Sequence, residues 1–459
     1  SSPFRQHSRR AMASSSAPSA GSRPGRRQLS MAGSAGSRPL LRVQVVAGQV
    51  RGGVVDTHAL PPQVYWGRPA RAALPEVLKK LGCQRAFLMV SGSLRKGTSI
   101  VDDVVAALGP SCAGVWDGMP AHTPREAVID AANKARGVGA DVIVTLGGGS
   151  LTDGAKAVRI ALAENVTDVA GLEPFHYHPG QKGNMLRSTP LIPQVTIPTT
   201  LSAGEFAPYA GVTDTSKQAA SGVAPKEPYL YSTALPYAII LDPELASHTP
   251  QRLFFSTGIR ALDHCVEALC SPEGNPYSDT VVQGALRLLV RGMRRARADP
   301  ASTEALLECQ MAMWQAVQGC QSGPKVGASH AIGHVLGGTY DVPHGETSCA
   351  ALPAVLAWNA QDPKTLPRQQ LVRDVFCELA REQGGDGAAR EAAALSASEH
   401  VRGLVRELGL PCSLAEVGVG RDKLEDCARR TMQDRLVDTN PRRISGWQDV
   451  FEILKLAAE

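Results

Sequence analysis

The chain has 459 residues and a formal net charge of +5, with 43% hydrophobic, 20% charged and 5% aromatic residues. A chain of this length exceeds one hydrophobic core, so two domains are expected. The low aromatic content offers no base-stacking platform for nucleic acid. No stretch contains the roughly 18 uncharged apolar residues that a membrane span needs. We therefore expect neither nucleic acid nor a membrane as a partner.

The positive charge belongs to the N-terminus. Residues 1–55 contain nine arginines and no lysine, aspartate or glutamate, which leaves about −4 for the rest of the chain. Residues 1–42 are rich in Ser, Ala, Gly, Pro and Arg, a composition that favours disorder. It is also typical of an organelle transit peptide, and the alternative is an upstream translated segment, with Met12 or Met31 as the true start.

The ten cysteines are scattered without a CxxC pair. They are expected to be reduced thiols of an intracellular protein. The predicted location is the cytoplasm, or a mitochondrion or plastid if residues 1–42 are a transit peptide.

Strand-like and helix-like patterns alternate over residues 43–243. Apolar runs at 85–91 and 141–146 read as strands, and a helical pattern at 126–136 lies between them. Further strand-like runs follow at 193–198 and 237–241. Such alternation predicts a parallel sheet with crossover helices, an α/β domain of Rossmann-like type.

The strongest motif is the run of glycines that follows the strand at 141–146. Gly147-Gly-Gly-Ser150 leads into Leu-Thr-Asp153-Gly-Ala-Lys156, which begins a helical pattern. Glycines allow a ligand close to the backbone, and a helix N-terminus attracts phosphate. The motif therefore predicts a pyrophosphate site, and the alternative is a glycine-rich turn without a ligand.

Hydroxyl side chains follow the strand at 193–198, and a Ser-Gly pair follows the strand at 85–91. Hydroxyls at a strand end can hydrogen-bond a ribose or a nicotinamide amide. The candidate cofactor-binding residues are therefore Ser91, Gly92, Gly147, Gly148, Gly149, Ser150, Asp153, Thr199, Thr200 and Ser202.

Residues 244–459 carry helical periodicity and predict a helical domain. The predicted helices are 258–270, 277–298, 301–319, 325–336, 346–360, 366–381, 387–408 and 421–432.

Polar residues interrupt the apolar pattern of this second domain. Arg260 and His264 are four residues apart and share a helix face, as do His330 and His334. His344 follows in a segment that we predict to be a loop. These five residues are the candidate catalytic residues, although a single histidine is more often an ordinary core residue.

The glycine motif at 147–156, the run Ile197-Pro-Thr-Thr200 and the series His264, His330, His344 together resemble the iron-containing alcohol dehydrogenase superfamily. The segment 330–347 is most similar to the maleylacetate reductase branch. The resemblance covers about residues 43–455. It implies an α/β dinucleotide-binding domain, a helical domain, an active site between them, NAD(H) or NADP(H) as cofactor and a homodimer.

The resemblance also implies a departure at the metal site. Metal-dependent members use three histidines and an aspartate four residues before the first histidine, and this chain has Arg260 there. A guanidinium repels a cation, so no catalytic metal is expected. If a metal is present, its ligands would be His264, His330 and His344. Asp263 is a conceivable substitute, but on a helix it projects about 100° away from His264.

Without a metal, Arg260 could stabilise the developing negative charge or bind a substrate carboxylate, while a histidine donates the proton. His334 and His344 are the preferred candidates. Arg260 could instead form a structural ion pair with Asp263 or Glu267. Gly92 stands where NAD-preferring members often carry an acid, and Arg95 and Lys96 are near, so NADPH use is also expected.

The predicted function is reduction of an acidic keto compound such as maleylacetate, which gives 3-oxoadipate. One alternative is a metal-dependent (Fe or Zn) alcohol or polyol dehydrogenase, in which Asp263 completes the ligands. A second alternative is a nucleotide-binding relative without catalysis.

Overall fold

The computed structural model describes residues 45–46, 49–50, 53–55, 62–177, 186, 191–217, 224 and 226–459. The segment 1–42, interpreted above as a tail or transit peptide, lies outside the described residues. The chain from Val43 to Glu459 forms one compact unit.

The strands of the described residues all precede residue 242. They are β1 (Val45–Val46), β2 (Gln49–Val50), β3 (Gly53–Val55), β4 (Gln63–Trp66), β5 (Ala86–Val90), β6 (Cys112–Trp116), β7 (Val142–Gly147), β8 (Gln194–Pro198), β9 (Tyr209–Thr213), β10 (Lys226–Leu230) and β11 (Ala238–Leu241).

A seven-stranded sheet in the order β3-β4-β11-β8-β7-β5-β6 forms the centre of the first domain. All neighbouring strands are parallel except β3, which is antiparallel to β4. Every residue of β5, β7 and β8 is buried, as expected for strands that are covered on both faces. Separately, β9 and β10 form an antiparallel pair. The predicted α/β architecture is confirmed.

Helices connect these strands and make up the rest of the chain. They are α1 (Ala70–Leu81), α2 (Gly92–Gly97), α3 (Ile100–Leu108), α4 (Arg125–Gly137), α5 (Gly149–Ala163), α6 (Pro243–Ala246), α7 (Gln251–Cys270), α8 (Pro276–Ala298), α9 (Thr303–Cys320), α10 (Ala328–Tyr340), α11 (His344–Asn359), α12 (Leu366–Ala393), α13 (Ala397–Glu407), α14 (Leu424–Thr431) and α15 (Trp447–Ala457). Among the described residues, no helix is both long and apolar enough to cross a membrane.

The helical half differs from the prediction at several places, including α7, which begins at Gln251 instead of 258, and α12, which continues to Ala393. The predicted helix 387–408 is two helices, because the Ser396 and Glu399 side chains form a capping box that starts α13 afresh. The helix α15 was not predicted. His344 is not in a loop but is the first residue of α11, directly after Pro343, whose fixed φ suits the position before a helix.

Buried hydrogen bonds join the sheet to the helical half. The Leu201 amide donates to Thr257 Oγ1 at 3.0 Å, and the Gln310 side-chain amide lies 3.3 Å from the Asp242 carbonyl. Val64 of β4 and Ile239 of β11 belong to the same apolar core as the helices α7 to α9. The C-terminal ends of β7 and β8 are thereby fixed beside α7.

Candidate active site

The glycine loop after β7 has a backbone that only glycine adopts freely. Gly147 has φ +151°, and a Cβ there would lie 2.5 Å from Leu151 Cδ1 and 3.1 Å from Ser91 Cβ. The next helix, α5, begins at Gly149, and its N-cap residue Gly148 provides no side-chain hydrogen bond. The first N–H groups of α5 are therefore available to an anionic ligand.

The predicted hydroxyl residues lie against this loop. A Cβ on Gly149 would lie 2.9 Å from Ser202 Oγ, and one on Gly148 would lie 3.5 Å from Thr200 Oγ1. The two hydroxyl oxygens are 3.3 Å apart. The Thr199 amide donates to the Gly147 carbonyl at 3.0 Å. The structure thus brings together the glycines and the hydroxyls, and this cradle fits a dinucleotide.

Buried charged residues contact the segment that follows β8. The Lys156 ammonium is fully buried and donates to the carbonyls of Gly204, Ala207 and Tyr209 at 2.7, 2.9 and 2.8 Å. Glu205 is also fully buried, and burial raises its pKa to about 7. Asp153 of α5 accepts from the Gly211 amide at 3.1 Å. Asp153 therefore binds β9.

Residues near Gly92 bear on the choice of cofactor. Gly92 is the first residue of α2, and a Cβ there would lie 3.4 Å from the Asp117 carbonyl oxygen. The Arg95 Nη1 atom is 3.5 Å from Asp117 Oδ1. The Asp117 carboxylate therefore lies beside Arg95. The sequence did not predict this contact.

Arg260 lies in the interior between α7, α10 and α11. Its side chain is 5% exposed. Its Nη1 atom donates to Ser348 Oγ at 3.0 Å and lies 3.5 Å from Asp263 Oδ2. A Cβ on Gly333 of α10 would lie 3.2 Å from the same nitrogen. The ion pair with Asp263, considered above as an alternative role for Arg260, is present.

Glu267 binds the start of α10 rather than Arg260. Its carboxylate accepts from the amides of Gly327 and Ser329, each at 2.9 Å, and lies 2.6 Å from His330 Nδ1. Because a carboxylate only accepts, His330 Nδ1 carries the hydrogen. This leaves His330 Nε2 buried and without a hydrogen-bond partner among the described residues.

His264, His330 and His344 share the electrostatic field of Arg260. The rings of His264 and His330 are 4.8 Å apart between centroids. Burial and the neighbouring positive charges lower the pKa of both histidines well below the ordinary value. His344 is exposed at the surface, and the nearby Arg260 guanidinium is the largest cause of a similar lowering of its pKa. The charge of Arg260 therefore favours the neutral form of all three imidazoles.

His334 and His344 stack at the accessible side of this cluster. Their ring centroids are 6.5 Å apart with an interplanar angle of 6°. The His334 side chain is 48% exposed, and its Nδ1 atom is 2.7 Å from Asp434 Oδ2. The structure thus brings together all five predicted catalytic residues on α7, α10 and α11.

A second cation, Lys226 of β10, extends toward the same cluster. Its Nζ atom is 3.9 Å from Asp153 Oδ2, and its charge contributes to the lowered pKa of His344. Lys226 therefore contacts α5 through Asp153 and lies near His344.

Arg260 lies beside the residues that could hold a metal ion. Asp263, Glu267 and His330 place one ligand atom each within 4.8 Å of one another. However, Asp263 Oδ2 already accepts from Ser329 and Ser348, and it faces Arg260. Two unit charges of like sign repel by about 4 kcal/mol at 4 Å with an effective dielectric near 20. The Arg260 guanidinium therefore opposes a cation at this donor set, in which Asp263 Oδ1 and His330 Nε2 have no hydrogen-bond partner among the described residues.

A sheet with a glycine-lined helix N-terminus that faces a histidine cluster defines a nicotinamide-dependent oxidoreductase. The family model for iron-containing alcohol dehydrogenase matches residues 61–243, and the C-terminal model of the Fe-containing alcohol dehydrogenase family matches residues 254–458. The chain belongs to this family.

Several relatives cover nearly the whole chain. A fungal protein named dehydrogenase FUM7, from Gibberella moniliformis, is 32% identical over 86% of this chain and 96% of its own length. A maleylacetate reductase from Rhizobium sp. is 30% identical over 80% of this chain and 88% of its own. The crystal structure of maleylacetate reductase from Rhizobium sp. strain MTP-10005 matches with a TM-score of 0.66 at 26% identity, covering 88% and 98% of the two chains.

Three side chains beside the predicted residues were not among the sequence candidates. Ser348 binds Arg260, Asp434 binds His334, and Lys226 lies near His344. None of them belongs to a local pattern with its partner, so only the fold brings them together.

Proposed function

We propose that this protein reduces an acidic keto compound, of the type of maleylacetate, with NADH or NADPH and without a catalytic metal. The observation that carries this proposal is the buried Arg260 guanidinium within the histidine cluster. Its position is the one at which the family resemblance expects a metal-binding aspartate. Its fixed positive charge attracts the same anionic groups that a metal would attract.

The bound nicotinamide supplies the hydride. The glycine loop would hold the pyrophosphate on the N-terminus of α5, and Thr200 and Ser202 would contact the rest of the cofactor. The cofactor would then lie at the ends of β7 and β8.

Charge in the cleft favours an anionic substrate. Arg260 and Lys226 approach His344 from two directions, and both lower its pKa. A carboxylate bound by a guanidinium in a buried site forms charge-assisted hydrogen bonds, which are roughly twice as strong as neutral ones. A substrate with one or two carboxylates would therefore bind better than a neutral aldehyde. The names of the maleylacetate reductase relatives agree with this substrate class.

A panel of carbonyl compounds tests the proposed function. We expect the highest kcat/KM for maleylacetate or a related keto acid and a much lower value for neutral aldehydes and ketones. Each compound is assayed with NADH and with NADPH, because Arg95 favours a 2′-phosphate while Asp117 opposes it. A preference for neutral alcohols and aldehydes would favour the metal-dependent alternative. Cofactor binding without turnover of any compound would favour a non-catalytic relative.

A further inference from the structure

Two histidines of α10 each bind a carboxylate through Nδ1, but their surroundings differ. His330 pairs with Glu267 and is 5% exposed, whereas His334 pairs with Asp434 and is 48% exposed. The buried pair anchors the start of α10. The exposed pair is open to solvent, where a proton can enter and leave, and its His334 ring stacks on His344.

Asp434 is held rigidly by its own hydrogen bonds. Its Oδ1 atom accepts from the Leu436 amide at 2.9 Å and caps a short 3-10 helix, Arg435–Thr439. Its Oδ2 atom accepts from His334 Nδ1 at 2.7 Å. Burial opposes ionisation of Asp434, but the bonds to His334 and to the Leu436 amide keep its pKa below the ordinary value. Asp434 is therefore a fixed carboxylate.

We propose that Asp434 is a positioning residue that makes His334 the proton donor of the reduction. The carboxylate fixes the hydrogen on Nδ1, so Nε2 is the nitrogen that exchanges a proton with the substrate. This inference rests on the proposed reductase function, but it holds for any carbonyl compound that the enzyme reduces.

His344 is the other candidate donor, and its surroundings disfavour that role. Within the described part of the chain, no carboxylate forms an ion pair with His344. The charged groups that act most strongly on His344 are the cations Arg260 and Lys226. His344 therefore lacks the carboxylate partner that fixes the position of the ring hydrogen in His334.

The proton and electron balance is complete with these groups. The hydride leaves the dihydronicotinamide with its electron pair, which oxidises the cofactor, and adds to the electrophilic carbon of the substrate. The proton on His334 Nε2 passes to the atom that receives the negative charge. This atom is the carbonyl oxygen, or the α-carbon when a conjugated double bond is reduced. Neutral His334 then regains a proton from solvent at its exposed edge.

The test compares Asp434→Asn, His334→Ala and the double variant, with maleylacetate and with butanal as substrates. Because general acid catalysis contributes typically about 10²–10⁴-fold, we expect His334→Ala to lower kcat to that extent, and Asp434→Asn to lower it roughly 10- to 100-fold, with KM little changed. In the His334→Ala background, Asp434→Asn should change kcat by less than about 2-fold, since coupled residues are not additive.

Two further readouts separate positioning from a structural role. Added imidazole should partly restore His334→Ala but not the double variant, because Asp434 is needed to hold the free ring. Cofactor binding, followed by the fluorescence of bound NADH or NADPH, should be unchanged in all three variants. Asp426→Asn is the matched control, since Asp426 accepts from Tyr340, also on α10, at 2.7 Å and contacts no histidine.

The outcomes distinguish this inference from the proposed substrate. If Asp434→Asn keeps the wild-type kcat, or if its effect multiplies with that of His334→Ala, the positioning role is wrong. If butanal is reduced and maleylacetate is not, the proposed substrate class is wrong, while the comparison of variants with butanal still decides the role of Asp434.

Discussion

Replacement of Arg260 by alanine raises KM for an acidic keto compound roughly 10- to 100-fold, because hydrogen bonds to charged groups contribute about 1.5–3 kcal/mol each. KM for a neutral aldehyde is expected to change far less. Steady-state kinetics with one substrate of each kind measure the difference. Equal losses for both substrates would contradict a carboxylate-binding role for Arg260.

Two control variants separate charge from folding in this experiment. Arg260→Ala leaves the buried Asp263 without its countercharge, a change that typically costs about 3–5 kcal/mol of stability. The variant Arg260→Lys keeps the charge but loses the bidentate geometry, so we expect it to retain part of the preference for acidic substrates. Ser348→Ala removes one hydrogen bond from the same guanidinium. It should affect both substrates equally and weakly.

Gly147→Ala should weaken binding of NADH and NADPH. The added Cβ meets Leu151 Cδ1 at 2.5 Å and Ser91 Cβ at 3.1 Å, and φ +151° is strained for alanine. Strain of this kind costs of order 1–3 kcal/mol. Relief of the strain displaces the loop that faces the pyrophosphate. The expected result is a cofactor dissociation constant that is roughly 10- to 100-fold higher, since every 1.4 kcal/mol is tenfold.

Gly137→Ala is the matched control for this prediction. Gly137 is the last residue of α4, and a Cβ there would meet no atom within 4 Å. We expect unchanged cofactor binding and unchanged or slightly higher stability. The dissociation constant of the cofactor is measured for both variants by titration with NADH or NADPH, followed by the fluorescence of the bound cofactor. Normal cofactor affinity in Gly147→Ala would show that the glycine loop does not hold the pyrophosphate.

The features that could be predicted from sequence are those with local patterns. The apolar run of β5, that of β7 and the glycines before α5 each consist of residues that are adjacent in the sequence. Periodicity and backbone chemistry are therefore enough to predict them. The histidines on α7 and α10 share helix faces for the same reason. The start of α11 at His344 was missed because the segment before it is dominated by Gly, Asp and Pro, which usually indicate a loop.

The features that could not be predicted depend on packing between distant segments. Asp434 is 100 residues from His334, and Ser348 is 88 residues from Arg260. Both contacts follow from how α10 and α11 pack against their neighbours. No spacing in the sequence indicates them. The same is true of Lys226, which reaches the cleft only because β10 pairs with β9.

The most direct test of the metal-free mechanism is kcat/KM for the acidic keto substrate before and after exhaustive treatment with a chelator. Metal content is determined on the same samples, and Fe²⁺ or Zn²⁺ is then added back. With Arg260 as the cation of the site, we predict full activity in protein with substoichiometric metal and no gain from added metal. Loss of activity on chelation, with recovery on addition of Fe²⁺ or Zn²⁺, would contradict the proposed role of Arg260.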